Sequence, residues 1–151
     1  MSRAPFQVLV LPFRHSQGGY LEYAIFRRRD GEYWQFIAGG GENNEKPLES
    51  ARREALEEAG IPPESDITAL DSCNTVPVVG VTGEFTWGEN VYVIPEYTFG
   101  ANFDSGAITL SMEHTEYRWV SYQDALTMLK WDSNKNTLWE LNARLAGQTE
   151  P

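Results

Sequence analysis

The sequence contains few of the residues that would mark a secreted or membrane-bound protein. Its single cysteine, Cys73, cannot form a disulfide within the chain and suits a reducing cytosol. We therefore expect a cytoplasmic protein, and we interpret Cys73 as a small buried side chain without a catalytic role. The N-terminal apolar run from Phe6 to Phe13 is too short to span a membrane and lacks a cleavage-site pattern. We expect no membrane partner.

Basic residues are also scarce, with 12 lysines and arginines against 22 aspartates and glutamates and a formal net charge of −10. A broad nucleic-acid interface needs a basic surface, so this balance argues against a nucleic-acid partner. It does not exclude small polyphosphates, because bound divalent cations reverse the local field. Repeats and linkers are missing, and 151 residues fit one domain over 1–151. The oligomeric state stays open.

Hydrophobic patterning predicts an α/β protein. Strands are expected over residues 6–13, 20–27, 34–38, 67–81, 90–99 and 115–120. Helices are expected over residues 47–59, 122–129 and 134–145. Surface loops are expected at residues 87–89 and 100–106. Helices packed on both faces of a mixed sheet would give a three-layer α/β/α arrangement.

The most specific pattern in the chain runs from Gly39 to Ile61. It reads G-x5-E-x7-R-E-U-x-E-E-x-G-U, where U is an aliphatic or small apolar residue. Every specified position is filled, by Gly39, Glu45, Arg53, Glu54, Ala55, Glu57, Glu58, Gly60 and Ile61. Seven positions of the pattern specify a single residue type. At ordinary amino-acid frequencies all seven would match by chance at about one starting position in 10^8.

Three carboxylates of this pattern share one side of the expected helix. At about 100° per residue, Glu54, Glu57 and Glu58 fall within a sector of roughly 100°. An apolar stripe runs beside them, formed by Leu48, Ala51, Ala55 and Ala59. Crowded carboxylates repel each other unless a cation lies between them, and hard oxygen ligands at this density suit Mg²⁺ or Mn²⁺. We expect a metal site here, with a backbone carbonyl at Gly39 as a further ligand.

A Glu-rich helix is ordinarily a solvated surface. The flanking glycines and Arg53 at fixed offsets favour the metal site over that interpretation. Arg53 and Glu45 bracket the acids, and a salt bridge between them would tie the loop to the helix. We count Arg53 with the catalytic residues in an orienting role, without direct contact to substrate.

The complete pattern is the signature of the Nudix hydrolases, so the chain resembles that family. The resemblance implies a Nudix-type α/β/α sandwich, a Mg²⁺ or Mn²⁺ cofactor and a small-molecule phosphoanhydride substrate. The family cleaves a nucleoside diphosphate linked to another group. Residues outside the signature select that group.

Three segments outside the signature are similar to the bacterial dihydroneopterin triphosphate pyrophosphohydrolases, often grouped with dATP pyrophosphohydrolases. They are FRRRDGEYWQF (26–36), MEHTEYRWVSYQDAL (112–126) and LKWDSNKNTLWEL (129–141). This resemblance implies a nucleoside- or pterin-type triphosphate, cut to a monophosphate and pyrophosphate. It also implies that Glu113 is a metal ligand from a distant loop. The substrate contacts would come from Arg3, Arg27, Ala38 and Lys130.

Several alternatives stay open from sequence. Either Glu57 or Glu113 could take the proton of the attacking water. The segment Trp34 to Phe36 is shared with hydrolases of dinucleoside polyphosphates and of RNA 5′ ends. Pro77 lies near a position typical of ADP-ribose hydrolases. A non-catalytic Nudix ligand-binding module is a further alternative, although such modules usually have a broken signature.

Overall fold

The structure is a computed structural model that describes residues 2–104 and 106–148. Its elements in chain order are β1 (Arg3–His15), β2 (Leu21–Arg28), β3 (Trp34–Gln35), β4 (Ile37–Glu42), α1 (Pro47–Ala59), β5 (Ile67–Pro77), α2 (Val78–Thr82), β6 (Val93–Asn102), β7 (His114–Val120), α3 (Tyr122–Met128) and α4 (Asp132–Gln148).

The seven strands form one mixed sheet that forks in its middle. β3, β2, β1, β6 and β5 lie side by side in that order, while β7 pairs with β2 and β4 pairs with β1. β1 and β6 are parallel, and the other pairs are antiparallel. β1 pairs with β2 through Phe13 to His15 and with β4 through Arg3 to Val10. The sheet therefore opens between β2 and β4, toward the loop that leads into α1.

Two hydrophobic clusters lie on opposite faces of this sheet. Successive residues of β1 point alternately into the two clusters, with Val8 and Val10 on one face and Leu9 and Leu11 on the other. The first cluster is closed by α1 through Ala51, Ala55 and Ala59. The second is closed by α3 and α4 through Ala125, Leu129, Leu138, Leu141 and Leu145. The predicted α/β/α sandwich is confirmed.

The helix α1 has the predicted ends. Pro47 is its first residue, and the Glu49 carboxylate accepts a hydrogen bond from the backbone N–H of Lys46 at 2.8 Å. Gly60 ends the helix with φ 73°, the left-handed conformation that favours glycine. The predicted apolar stripe is wrong at Leu48, which is 40% exposed because it lies at the solvent side of the first turn.

The predicted boundaries around β5 and β6 are wrong. The strand predicted over 67–81 stops at Pro77, and residues 78–82 form α2. The backbone N–H of Val78 still donates to the Tyr92 carbonyl at 2.9 Å, and the chain turns into α2 directly after this bond. β6 continues to Asn102, so the loop predicted over 100–106 begins inside a strand.

The strand predicted over 34–38 is broken into β3 and β4. The backbone N–H of Phe36 donates to Asn134 Oδ1 at 2.8 Å instead of to a neighbouring strand. This bond lets the chain cross from β2 to β1. It also fixes the start of α4, which begins at Asp132, two residues before the prediction.

Cys73 is exposed, so its prediction as a buried side chain is wrong. It lies on β5, the outer strand of the sheet. Over residues 70–77 of this strand the side chains on the α4 side, such as Ser72 and Asn74, are half-buried, whereas those on the other side are exposed.

Among the described residues, no helix has the length and apolar character needed to cross a membrane. A single domain over 1–151 stays a prediction.

Candidate functional site

Arg53 joins the loop before α1 to the acidic side of that helix. Its Nε donates to Glu45 Oε2 at 2.8 Å, its Nη1 to Glu54 Oε1 at 2.9 Å and its Nη2 to the Gly40 carbonyl at 2.9 Å. Glu45 also accepts from the backbone N–H of Glu42 at 2.8 Å. The Arg53 hydrogen bonds, opposed by burial, lower the pKa of Glu45 to about 2. The predicted salt bridge between Arg53 and Glu45 is confirmed.

Glu58 is the buried carboxylate of α1. Glu58 is 2% exposed, and neither of its carboxylate oxygens has a hydrogen-bond partner. Burial, followed by the nearby carboxyl groups of Glu113 and Glu54, raises the pKa of Glu58 to about 10. A buried carboxylate without a partner is costly, and a divalent cation beside it would remove that cost. This donor set fits the metal site expected from the sequence.

Glu54 lies between Arg53 and the glycine strand β4. A Cβ atom added to Gly39 would overlap the Glu54 carboxylate, so that carboxylate packs directly on the Gly39 backbone. Burial raises the pKa of Glu54, while the hydrogen bond from Arg53 opposes the rise. The structure thus brings Gly39, Glu54 and Glu58 together.

Glu57 and Glu113 lie at the exposed rim of this group. Glu57 Oε2 accepts from Arg53 Nη1 at 3.3 Å, and its side chain is 56% exposed. Glu113 lies in the turn before β7, where Arg28 Nη1 approaches its Oε2 at 3.9 Å. In their present rotamers, no three His, Cys, Asp or Glu side chains of residues 2–104 and 106–148 are positioned to hold one metal ion. Glu57 and Glu113 would therefore have to turn to join Glu54 and Glu58 around a cation.

His114 is fully buried beside Glu58. Its Nε2 is 4.0 Å from Glu58 Oε1, and its ring lies 5.3 Å from the ring of Phe26. Burial lowers the pKa of His114, so its ring is neutral near pH 7. His114 therefore does not supply the positive charge that Glu58 lacks.

Two predicted substrate residues, Arg3 of β1 and Ala38 of β4, lie on the face of the sheet opposite α1. The Arg3 guanidinium packs where a Cβ of Gly40 would project, and its Nε and Nη2 atoms are buried without a hydrogen-bond partner. Ala38 is half-buried and packs against the cluster on the α4 side. Consecutive glycines of β4 therefore contact Glu54 on one face of the sheet and Arg3 on the other.

The other two predicted substrate residues lie next to β3. Arg27 Nη1 donates to Glu116 Oε1 at 3.3 Å, and both side chains are more than a third exposed. Lys130 is fixed by its backbone N–H, which donates to the first carbonyl of β3 at 3.1 Å. Its Nζ lies 4.4 Å from the Tyr33 ring and 4.7 Å from the Trp131 ring.

One buried acid was missed by the sequence analysis. Glu96 of β6 is 4% exposed and accepts hydrogen bonds from Gln7 Nε2 at 3.3 Å and from Asn74 Nδ2 at 3.1 Å. It occupies a buried position in the alternating segment 93–99. An acidic residue in the buried phase of an apolar strand was the signal that could have identified it.

The chain matches a known family over most of its length. The NUDIX domain model matches residues 7–139. The chain belongs to the NUDIX family. The fold and the pyrophosphohydrolase class expected from the signature are thereby confirmed.

Individual NUDIX relatives resemble the chain to different degrees. A crystal structure from Listeria monocytogenes, described as a candidate NUDIX hydrolase, is 41% identical, covers 96% of this chain and 97% of its own, and has a TM-score of 0.86. Dihydroneopterin triphosphate diphosphatase of Haemophilus influenzae is 28% identical over 114 residues, which are 74% of this chain and 72% of the relative. A C. elegans Ap4A hydrolase complex, at 20% identity, covers 95% of this chain and 99% of its own with a TM-score of 0.74. That last likeness concerns the fold alone.

Proposed function

We propose that this NUDIX hydrolase cuts a pterin- or nucleoside-type triphosphate into a monophosphate and pyrophosphate, with Mg²⁺ or Mn²⁺ as its cofactor. The observation that carries the proposal is the Glu58 carboxylate, which is buried, lacks a partner and is flanked by Glu54 and Glu113. The Haemophilus influenzae relative is named for hydrolysis of dihydroneopterin triphosphate, which is such a substrate.

The carboxylates of Glu54, Glu58 and Glu113 would hold the divalent cation, with Glu57 and the Gly39 carbonyl as further ligands. When bound, the cation would offset the charge of the phosphate chain and make the attacking water more acidic. Arg53 keeps Glu54 in place from the side of the loop, through the contacts already described. It acts as a positioning residue.

Hydrolysis also needs a group that accepts a proton. The oxygen of a water molecule attacks phosphorus, the anhydride P–O bond breaks and pyrophosphate leaves. A carboxylate that is accessible to that water must take its proton. Glu57 and Glu113 are the accessible members of the group, at 56% and 60% side-chain exposure. Replacing each by glutamine, with kcat and Mn²⁺ affinity measured side by side, separates the two roles: loss of the base lowers kcat, whereas loss of a ligand weakens metal binding.

The substrate would lie across the fork of the sheet. On the metal side the phosphates meet the acids of α1 and their cation. On the opposite side Arg3, Arg27 and Lys130 offer guanidinium and ammonium donors, and the small side chain of Ala38 lies on the same face of the sheet. The rings of Tyr33 and Trp131 are available for stacking.

The test is release of pyrophosphate from a panel of dihydroneopterin triphosphate, the four dNTPs, ADP-ribose and dinucleoside polyphosphates. We expect hydrolysis of triphosphates that stops in EDTA, and we expect Glu58→Gln to lower kcat at least about a hundred-fold with an unchanged circular dichroism spectrum. Glu64→Gln, which removes an exposed carboxylate outside the site, is the matched control. Reaction in ¹⁸O-labelled water locates the attacked phosphorus.

Three results would contradict the proposal. Orthophosphate as the first product would mean a different bond is cut. Activity confined to ADP-ribose or dinucleoside polyphosphates would mean that the proposed substrate class is wrong. Binding without hydrolysis across the whole panel would indicate a ligand-binding module.

A further inference from the structure

A row of polar side chains crosses the sheet on the face opposite α1. The strand register places Gly40 of β4 beside Gln7, Gln7 beside Glu96, and Glu96 beside Asn74. Paired residues on neighbouring strands point to the same face, and Leu9, two residues after Gln7, packs in the α4-side cluster. We call Arg3, Gln7, Glu96 and Asn74 the polar row.

Glu96 has unused hydrogen-bond capacity. A carboxylate offers about four acceptor sites, and Gln7 and Asn74 each occupy one. Both donors are neutral carboxamides, whereas a buried carboxylate is ordinarily paired with a cation. Burial raises the pKa of Glu96 although both amide hydrogen bonds oppose it. Two further N–H donors from a ligand would therefore stabilise the charged carboxylate.

Arg3, at the other end of the polar row, has unsatisfied hydrogen-bond donors where Glu96 has unsatisfied acceptors. Its Nε and Nη2 are buried without an acceptor, and its guanidinium packs on Gly40. The backbone carbonyl of Arg3 accepts from Trp87 Nε1 at 3.2 Å, which brings the loop before β6 to this end of the row. The row thus has donors without acceptors at Arg3 and spare acceptors at Glu96.

The spacing of the row fits a flat heterocycle. Neighbouring strands are about 4.8 Å apart, so β4 and β6, on either side of β1, are about 9–10 Å apart. A ring edge that carries a carbonyl, a ring N–H and an exocyclic amino group is about 4.5 Å long, and a hydrogen bond of about 2.9 Å at each end brings the span to about 10 Å. Such an edge occurs in guanine and in pterins.

We propose that Glu96 is a specificity-determining residue that accepts hydrogen bonds from the ring N–H and exocyclic amino group of a guanine- or pterin-type heterocycle, while Arg3 donates to its carbonyl. This inference rests on the proposed function and specifies its substrate class. Adenine presents an amino group and an unprotonated ring nitrogen on the same edge. It would place its amino donor against the Arg3 donors and its nitrogen lone pair against the Glu96 carboxylate, which disfavours it.

The polar row is also close to the metal-binding acids. Gly39 contacts the Glu54 carboxylate on the α1 face, and the next residue, Gly40, contacts the Arg3 guanidinium on the opposite face. The Gly40 carbonyl accepts from Arg53 as well. A heterocycle on the row would therefore lie across β4 from the acids, with its phosphate chain directed toward them from the open end of the fork.

The experiment compares kcat/KM for dihydroneopterin triphosphate, dGTP, dITP and dATP, where dITP is dGTP without the exocyclic amino group. We expect the wild-type protein to favour dGTP over dITP and over dATP by about ten-fold or more, the usual range for a hydrogen bond to a charged group. Glu96→Gln should raise KM for dGTP about ten-fold or more, leave kcat within about three-fold and bring the dGTP to dITP ratio close to one. Glu64→Gln should leave all four substrates unchanged.

The outcomes separate this inference from the proposed function. Hydrolysis of none of the four triphosphates rejects the proposed function, and calorimetric binding of dGMP against dAMP then tests Glu96 independently of hydrolysis. Equal kcat/KM for dGTP, dITP and dATP in the wild type, or an unchanged dGTP to dITP ratio in Glu96→Gln, overturns the role of Glu96 and leaves the hydrolase standing. The wild-type ratio needs no variant, so it decides the question even if Glu96→Gln does not fold.

Discussion

The burial of Glu58 makes the metal-free protein less stable as the pH rises. With its pKa raised from 4.5 to about 10, Glu58 keeps its proton in the folded state across a range in which the unfolded chain releases it. The folded state then binds one more proton than the unfolded state, so the free energy of unfolding falls by about 1.4 kcal/mol per pH unit. Between pH 6 and pH 8 this group alone removes about 3 kcal/mol. For a chain of this length the loss corresponds to about 6–12 °C in Tm.

Glu58→Gln keeps the shape of the side chain and removes its titration. We therefore expect the difference in Tm between this variant and the wild type to grow in favour of the variant by that amount from pH 6 to pH 8 in EDTA. Added Mg²⁺ should abolish this change of the Tm difference with pH, because a cation replaces the proton in stabilising the wild-type carboxylate. Glu64→Gln is the control. Parallel pH profiles of the Glu58→Gln variant and the wild type in EDTA would refute the reasoning.

Three further predictions follow from contacts within the chain. Arg53→Ala should lower the stability by about 3 kcal/mol and weaken Mn²⁺ binding, measured by thermal melting and calorimetry, since it leaves part-buried acids without their cation; a change confined to KM would disprove the orienting role. Gly39→Ala should weaken Mn²⁺ binding about ten-fold with little change in Tm, because the added methyl group displaces Glu54, and unchanged affinity would contradict that contact. Burial raises the pKa of Glu140, but hydrogen bonds from β5 and from Arg144 outweigh it and lower that pKa to about 2. Glu140 therefore stabilises the fold above pH 4.5, and this stabilisation is lost as the pH falls toward 2. Glu140→Gln should therefore be less stable than the wild type at pH 6 and lose less on acidification, as followed by circular dichroism, and equal acid profiles would show that these bonds do not stabilise the fold.

The parts of the site that could be predicted from sequence are those fixed by local spacing. Helical periodicity alone places Glu54 and Glu58 on one side of α1, and Gly60 ends that helix through its own backbone conformation. The Arg53 to Glu45 salt bridge spans eight residues and stays within one loop and one helix. Such features need no knowledge of the rest of the chain.

The parts that could not be predicted depend on pairing between distant segments. The break at Phe36 requires Asn134, which is 98 residues away. Cys73 is exposed because β5 lies at the outside of the sheet, a position that strand order alone decides. Glu96 acquires its partners from β1 and β5 only after three strands have aligned. Local patterns carry no information on that alignment.

The loop between β4 and α1 is already closed by bonds within the chain. The Glu45 carboxylate accepts hydrogen bonds of 2.6–3.0 Å from the backbone N–H of Glu42, the hydroxyl of Ser50 and the guanidinium of Arg53. Ordering a flexible loop of this length on binding would cost about 1–2 kcal/mol per residue. Here folding itself meets that cost, so little binding free energy is consumed in assembling the loop. The affinity of the site for its ligand is consequently tied to the folding stability of α1.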